Sequence, residues 1–277
     1  MKLESIKNKL EELVIKTLKS IRRHPNILQK IKFYEQVHQS LSLNIIKNKR
    51  EIYYNSVQIF RTQKNVDKLI KETCSILGVS QPDLLISTTL KGIFNGSLVF
   101  YRNNKIIYQN NQGTSLIPDM STIDRVKCEY KKCVVIEKDT IFSKIVRSYT
   151  RNDILFVCGK GYPCGNTLSL VKNLVDVKIY GLFDFDPYGL EICSKYPSLK
   201  RIGLCLEDIE WVDKSSYIKL SEFDNRKIER MMLNHNFNKD LNFMKNNNLK
   251  IELEGLFNSK EFNLECFLDS KIEYKSK

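Results

Sequence analysis

Apolar residues recur at near-helical spacing through the first quarter of the chain and then give way to short β-type runs. Leu3, Ile6, Leu10, Leu13, Leu18 and Ile21 alternate with Lys and Glu and stop before His24 and Pro25, which predicts one amphipathic helix over residues 2 to 22. Its apolar stripe needs a cover, either the body of the same chain or a partner. Helical spacing continues near 31 to 41, near 51 to 60, and from Asn65, an expected N-cap, through Val66, Leu69, Ile70 and Leu77 to a stop at Gly78. β-type runs follow at Leu84 to Ser87, Ser97 to Arg102 and Lys105 to Tyr108, with Asn103 and Asn104 as a hairpin turn.

Helices followed by a hairpin predict a winged-helix module over residues 26–112, a fold whose basic face commonly sits on a duplex. The polar stretch from Asn110 to about Lys127, with Pro118 and Asp119, reads as a linker. Beyond it, apolar β-rich runs at Cys133 to Ile136, Ile154 to Val157 and Val177 to Phe183 are separated by helical segments near 139 to 149 and 166 to 174. Strands alternating with helices predict a parallel α/β sheet over residues 128–277, with a helix-prone extension from Glu222 onward. The whole is an α/β (α+β) chain of two domains preceded by a helix at 1–25.

Composition narrows the function classes. With 277 residues, 45 Lys and Arg stand against 32 Asp and Glu, a net charge of +13 that suits a polyanionic partner or simply a basic soluble protein. The eight cysteines include no C-x-x-C pair and no zinc spacing, and several sit inside apolar runs, as small buried thiols do. The N-terminus is charged from Lys2, and no apolar run approaches membrane-spanning length, so no signal peptide and no membrane partner are expected.

Ligands of parallel α/β sheets bind outside the carboxyl ends of the strands. Carboxylates stand there twice: Glu137 after the run ending at Ile136, and Asp184 and Asp186 after the run ending at Phe183. In an extended Asp184-Phe185-Asp186 the two acids share a face and Phe185 turns into the packing. Three convergent carboxylates with oxygen ligands predict Mg²⁺, completed by water and phosphate. The competing reading is a turn or helix cap, which Pro187 and Gly189 equally suit. The Gly159-Lys160-Gly161 loop could approach a phosphate but lacks the spacing of an ATP-binding loop.

Five segments carry a resemblance: Lys49 to Gln63 (KREIYYNSVQIFRTQ), Ser87 to Gly92, Val134 to Asp139 (VVIEKD), Gly159 to Pro163, and Asp184 to Gly189 (DFDPYG). In this order and spacing the chain resembles the A subunit of topoisomerase VI and its eukaryotic relative, the meiotic double-strand-break transesterase. The resemblance implies a winged-helix domain joined to a Toprim domain. It implies that Tyr54 is the nucleophile with Arg50 near the attacked phosphate, that Glu137, Asp184 and Asp186 are Mg²⁺ ligands, and that Lys91 and Lys160, inside matched motifs, are DNA contacts. It further implies double-stranded DNA as substrate, a 5′-phosphotyrosyl intermediate, a homodimer, and an ATPase-like B-subunit partner at the N-terminal region. The Arg-Glu-Ile-Tyr-Tyr and Leu-Lys-Gly-Ile segments look closer to eukaryotic members, which favours a nuclear initiator of meiotic recombination. The alternatives are the A subunit of a type IIB topoisomerase or, from another class, a DNA-binding protein with weak or lost catalysis. The chain departs from the family pattern at Asn48 (usually Thr), Cys164 (usually Asp) and Leu168 (usually Arg).

Overall fold

The computed structural model describes residues 2–19, 26–87, 90–233, 237–258 and 262–276, and the chain divides into two compact units, Met1–Thr89 and Leu90–Lys277. The first is helical: α1 (Lys2–Lys19), α2 (Ile27–Leu43), α3 (Lys49–Tyr54), α4 (Val57–Phe60) and α5 (Gln63–Leu77), with β1 (Lys47–Asn48) pairing in parallel with β2 (Ile86–Ser87). Part of the α1 stripe is covered within the unit, because Ile6, Leu10 and Leu13 are buried against Phe33, Val37 and Leu41 of α2 and Leu69 and Ile70 of α5. Ile15 and Leu18 stay exposed. The last residues of the predicted 2 to 22 helix, from 20 onward, lie outside the described residues.

Two local expectations shift. The single helix predicted near 51 to 60 is two short helices broken at Asn55 and Ser56. Thr62, not Asn65, precedes α5; the Asn65 side chain instead donates to the Phe60 carbonyl at 2.9 Å. Gly78 ends α5 in the left-handed region, φ +66°.

The second unit is built on a six-stranded sheet ordered β11-β10-β8-β9-β3-β6, from β3 (Ile93–Asn95), β6 (Thr114–Leu116), β8 (Lys132–Ile136), β9 (Leu155–Cys158), β10 (Lys178–Leu182) and β11 (Lys200–Gly203). The four strands from β11 to β9 run parallel, and β3 and β6 extend them antiparallel. Helices α6 (Asp139–Ser148), α7 (Gly165–Lys172) and α8 (Pro187–Cys193) connect the parallel strands, whose residues are largely buried on both faces. A separate three-stranded sheet holds β4 (Leu98–Arg102), β5 (Lys105–Asn110) and β7 (Arg125–Cys128). The remainder, β12 (Tyr217–Lys219), α9 (Glu222–Met232), α10 (Asn238–Asn247), β13 (Leu249–Ile251), α11 (Leu253–Phe257) and α12 (Leu264–Ser276), packs on the same core.

The hairpin that the pattern assigned to a wing is β4–β5, with Asn103 and Asn104 both left-handed at its turn. It belongs to the second unit, so the division falls at residue 89 rather than near 112. Hydrogen bonding decides this: β3, just before the hairpin, pairs with β9, and β4 pairs with β7. The stretch read as a linker is likewise integral. Asn166 Nδ2 donates to the carbonyls of Ile117 and Pro118, its Oδ1 accepts from Met120 N at 2.7 Å, and Ile117 and Met120 are buried.

Candidate functional site

The chain runs from β8 to β9 on one side and returns to β10 on the other, so β8 is where the order of the parallel strands reverses. Ligands of such sheets collect in the crevice at that reversal. Glu137 leaves the end of β8 and Asp184 follows β10, and the two strands are in register with Ile136 opposite Leu182. Backbone geometry therefore delivers both acids to one edge.

Glu137 and Asp184 are buried and Asp186 is half-buried. Glu137 Oε2 accepts from the backbone N–H of Asp184 at 3.0 Å. Asp184 Oδ1 accepts from Leu253 N at 2.8 Å, and its Oδ2 lies 2.9 Å from Lys138 Nζ. Phe185 is buried and bridges to Ile251, which keeps the Asp184-Phe185-Asp186 segment extended as expected. Asp186 caps α8, its Oδ1 accepting from Gly189 N. The cap reading of this motif is thus part of the structure, alongside the clustering of its acids.

Burial is the first cause that raises the pKa of Glu137, followed by the charges of Asp184 and, more weakly, Asp186. Burial also raises Asp184 and Asp186, against the opposing pull of the Leu253 N–H and Lys138 on the first and of the Gly189 N–H and Lys250 on the second. Desolvated carboxylates that repel one another bind protons, or any cation, in place of water. Among the described residues, no group of three or more His, Cys, Asp and Glu side chains is disposed to close around a metal ion. Asp184 is held on both oxygens by protein donors, and Asp186 gives Oδ1 to its cap. Gly189 completes the arrangement, since a Cβ there would lie 2.5 Å from the Asp184 carbonyl and 3.0 Å from Glu137 Oε2.

The loop after β9 lies beside Glu137. Gly161 N donates to the Glu137 carbonyl at 2.9 Å, with Lys160 and Gly161 both left-handed. Lys91 Nζ donates to the Lys160 carbonyl at 2.9 Å, and Lys160 Nζ pairs with Asp139 at 3.0 Å. Both predicted DNA-contact lysines therefore shape this loop, each through an internal bond.

In the first unit, Tyr54 ends α3 and is 68% exposed, and Arg50 on the same helix is exposed. Tyr53 points elsewhere, half-buried, its hydroxyl donating to the Arg61 carbonyl at 3.3 Å. Asn48 caps α3 with a reciprocal pair: its Oδ1 accepts from Glu51 N at 2.8 Å, and its own N–H donates to Glu51 Oε2. The departure from Thr at this position keeps a capping residue. Cys164 precedes α7 with Sγ 3.4 Å from Thr167 Oγ1, and Leu168 packs on the core.

Comparison with known proteins accounts for both units. Residues 132–272 match the family model for the Toprim domain of Spo11 and the topoisomerase 6 A subunit, and residues 25–86 match "Type IIB DNA topoisomerase". A protein of Encephalitozoon cuniculi named "Probable meiosis-specific protein SPO11 homolog" is 36% identical over 97% of this chain and 96% of its own length. The chain belongs to the family of Spo11 and the topoisomerase VI A subunit. Within that family it is 26% identical to the human "Meiotic recombination protein SPO11" over 88% of this chain and 70% of the relative. It is 28% identical to the DNA topoisomerase 6 A subunit of Arabidopsis thaliana over 69% of this chain and 47% of the relative. The Toprim match begins at β8 and so contains Glu137, Asp184 and Asp186, while the other match contains α3 with Arg50 and Tyr54.

Sequence reading missed Lys138 and Leu253 as parts of the acidic site, and took Gly189 only as a turn former. Lys138 stood in plain view beside Glu137, but nothing in the pattern of the tail announced Leu253 as a donor to an acid 69 positions earlier.

Proposed function

We propose that this protein is a Mg²⁺-dependent DNA transesterase that makes double-strand breaks and initiates meiotic recombination in the nucleus. One observation carries the reading: an exposed tyrosine on a capped helix and a desolvated acidic cluster at a sheet reversal fall inside the two matched family segments. The near-complete coverage by a relative named as meiosis-specific favours the meiotic branch over the topoisomerase.

In this reading the Tyr54 hydroxyl attacks a backbone phosphorus. The phenol gives up its proton, the tyrosyl oxygen–phosphorus bond forms, and the bond from phosphorus to the 3′ oxygen breaks, leaving a 5′-phosphotyrosyl link and a 3′ hydroxyl once that oxygen is protonated. A free phenol is a weak nucleophile at neutral pH, so Arg50 would supply positive charge beside the attacked phosphate. Glu137, Asp184 and Asp186 would hold the ion; two carboxylates with water and substrate phosphate are a sufficient set for Mg²⁺, so the donor chemistry fits without a closed protein shell. When bound, Mg²⁺ neutralises charge on the phosphate and the departing oxygen.

The net charge of +13 supports duplex DNA as the polyanionic partner, and we infer a homodimer in which each copy cuts one strand. A groove of about 760 Å³, lined by Val14, Ile15, Ile31, Tyr34 and Leu43 together with Glu11, Glu35 and His38, supports the N-terminal helices as the contact for a B-subunit-like partner.

Incubating the protein and its partners with duplex DNA and Mg²⁺, then trapping with detergent, tests the chemistry. Covalent complexes are expected with the native chain and lost in Tyr54→Phe. Their persistence in Tyr54→Phe would assign the nucleophile elsewhere, and their absence from the native chain would support a binding-only protein.

A further inference from the structure

Lys138 sits at the centre of a ring of carboxylates. Its ammonium lies 2.9 Å from Asp184 Oδ2, 3.0 Å from Glu254 Oε2 and 3.3 Å from Glu252 Oε2. Two of these acids come from the segment around β13 and α11, which also supplies the Leu253 N–H to the other oxygen of Asp184. Glu254 is itself steadied by the Thr140 hydroxyl at 3.1 Å. The Lys138 side chain is only 27% exposed and that of Asp184 4%, so this ion pair is shielded from solvent on its Asp184 side. One cation among three oxygen donors is the arrangement a metal ion would adopt, with the protein's own ammonium in the central place.

We propose that Lys138 is a positioning residue that competes with the divalent ion for Asp184 Oδ2 and holds metal affinity down. The inference rests on the metal-site reading above. Asp184 has two oxygens; Leu253 takes one and Lys138 the other. A divalent ion that engages Oδ2 meets the ammonium's charge 2.9 Å from that oxygen, and Glu252 and Glu254 would retain the ammonium if it moves aside. Without that movement Glu137 and Asp186 would be the carboxylates left to the ion, and water and substrate phosphate would have to supply its other ligands. The consequence is a site that fills weakly in the absence of DNA and is completed when phosphate oxygens join the ligands.

The test is Mn²⁺ binding to the full chain without DNA, followed by the electron paramagnetic resonance signal of the free ion. Lys138→Met removes the competing charge and should tighten binding by about tenfold, an effect in the range expected for one adjacent charge in a partly desolvated site. Lys138→Gln, which keeps a polar end, should shift it in the same direction and serves if the methionine variant fails to fold. Lys138→Arg should bind like the native chain. Lys250→Met is the control for charge alone, because Lys250 pairs with Asp224 at 2.8 Å on the Asp186 side of the cluster. It should leave Mn²⁺ affinity within about twofold, since it frees no oxygen of Asp184.

Unchanged or weaker binding in Lys138→Met and Lys138→Gln overturns the proposal. So does equal tightening in Lys250→Met, which would reduce the effect to net charge. Glu137→Gln separates the two layers: if it binds Mn²⁺ as the native chain does, the metal-site reading fails whatever the lysine variants show. No binding by the native chain or by any lysine variant overturns both.

Discussion

The backbone N–H of Asp184 donates to Oε2 of Glu137 at 3.0 Å, which ties the acid after one parallel strand to the main chain after its neighbour. The two acids cannot be moved independently, and a charge placed on one is felt by the other.

Protonation of the buried Glu137 and Asp184 pair, Glu137 foremost, should make metal-free stability depend on pH. Burial, with help from Asp184, pushes its pKa from the ordinary 4.5 to about 8. A carboxyl raised in the folded state favours folding fully below its unfolded pKa, and that contribution is lost as pH climbs through the folded value. In chelator, the native chain should therefore melt at a lower temperature at pH 8 than at pH 6, and Glu137→Gln should flatten that dependence. Saturating Mg²⁺ should raise the melting temperature more at pH 8 than at pH 6, because fewer protons compete. An unaltered pH profile in Glu137→Gln would contradict the assignment.

Gly189→Ala tests how tightly the acidic turn is packed. The added Cβ meets the Asp184 carbonyl at 2.5 Å, and a backbone atom cannot swing aside as a side-chain tip can. Overpacking of this kind costs about 1–3 kcal/mol. Urea unfolding should show that loss together with weakened Mn²⁺ binding, since the Asp184 segment and Glu137 must separate. A stable variant with native metal affinity would show that the turn relaxes freely.

Asn48 should matter to the tyrosine helix more than to the sheet. Asn48→Ala removes the reciprocal cap with Glu51, which costs about 1 kcal/mol, whereas Asn48→Thr retains a capping oxygen. Denaturation of the two variants measures this. Equal stability of Asn48→Ala and the native chain would mean that α3 is held by its other contacts, the buried Ile52, the Gln36 bond to the Ile52 carbonyl and the Lys49–Asp67 pair.

The two tyrosines should separate stability from chemistry. Tyr54 is 68% exposed, so Tyr54→Phe should change stability by less than about 0.5 kcal/mol while abolishing covalent complexes. Tyr53→Phe gives up the bond to the Arg61 carbonyl, a loss of about 0.5–1 kcal/mol, and should still form covalent complexes. The reverse pattern of complex formation would make Tyr53 the nucleophile.

Local periodicity and strand-end logic by themselves determined much of this protein. The helices around Phe33, Ile52 and Leu69, the hairpin turn at Asn103 and Asn104, and the parallel strands that precede Glu137 and Asp184 are written in short stretches of chain, because spacing and turn chemistry act between near neighbours. Tyr54 and Arg50 could be singled out from the sequence only through resemblance, since nothing in Tyr-Tyr itself says which ring faces solvent. Only the tertiary structure decided that the 98–110 hairpin joins the second unit through β7, that Asn166 fastens the supposed linker, and that Leu253 and Lys138 hold Asp184 while Glu254 holds Lys138. These are pairings between residues far apart in the chain, 116 positions in the case of Lys138 and Glu254, chosen by burial and hydrogen bonding across the fold, and no local pattern encodes them.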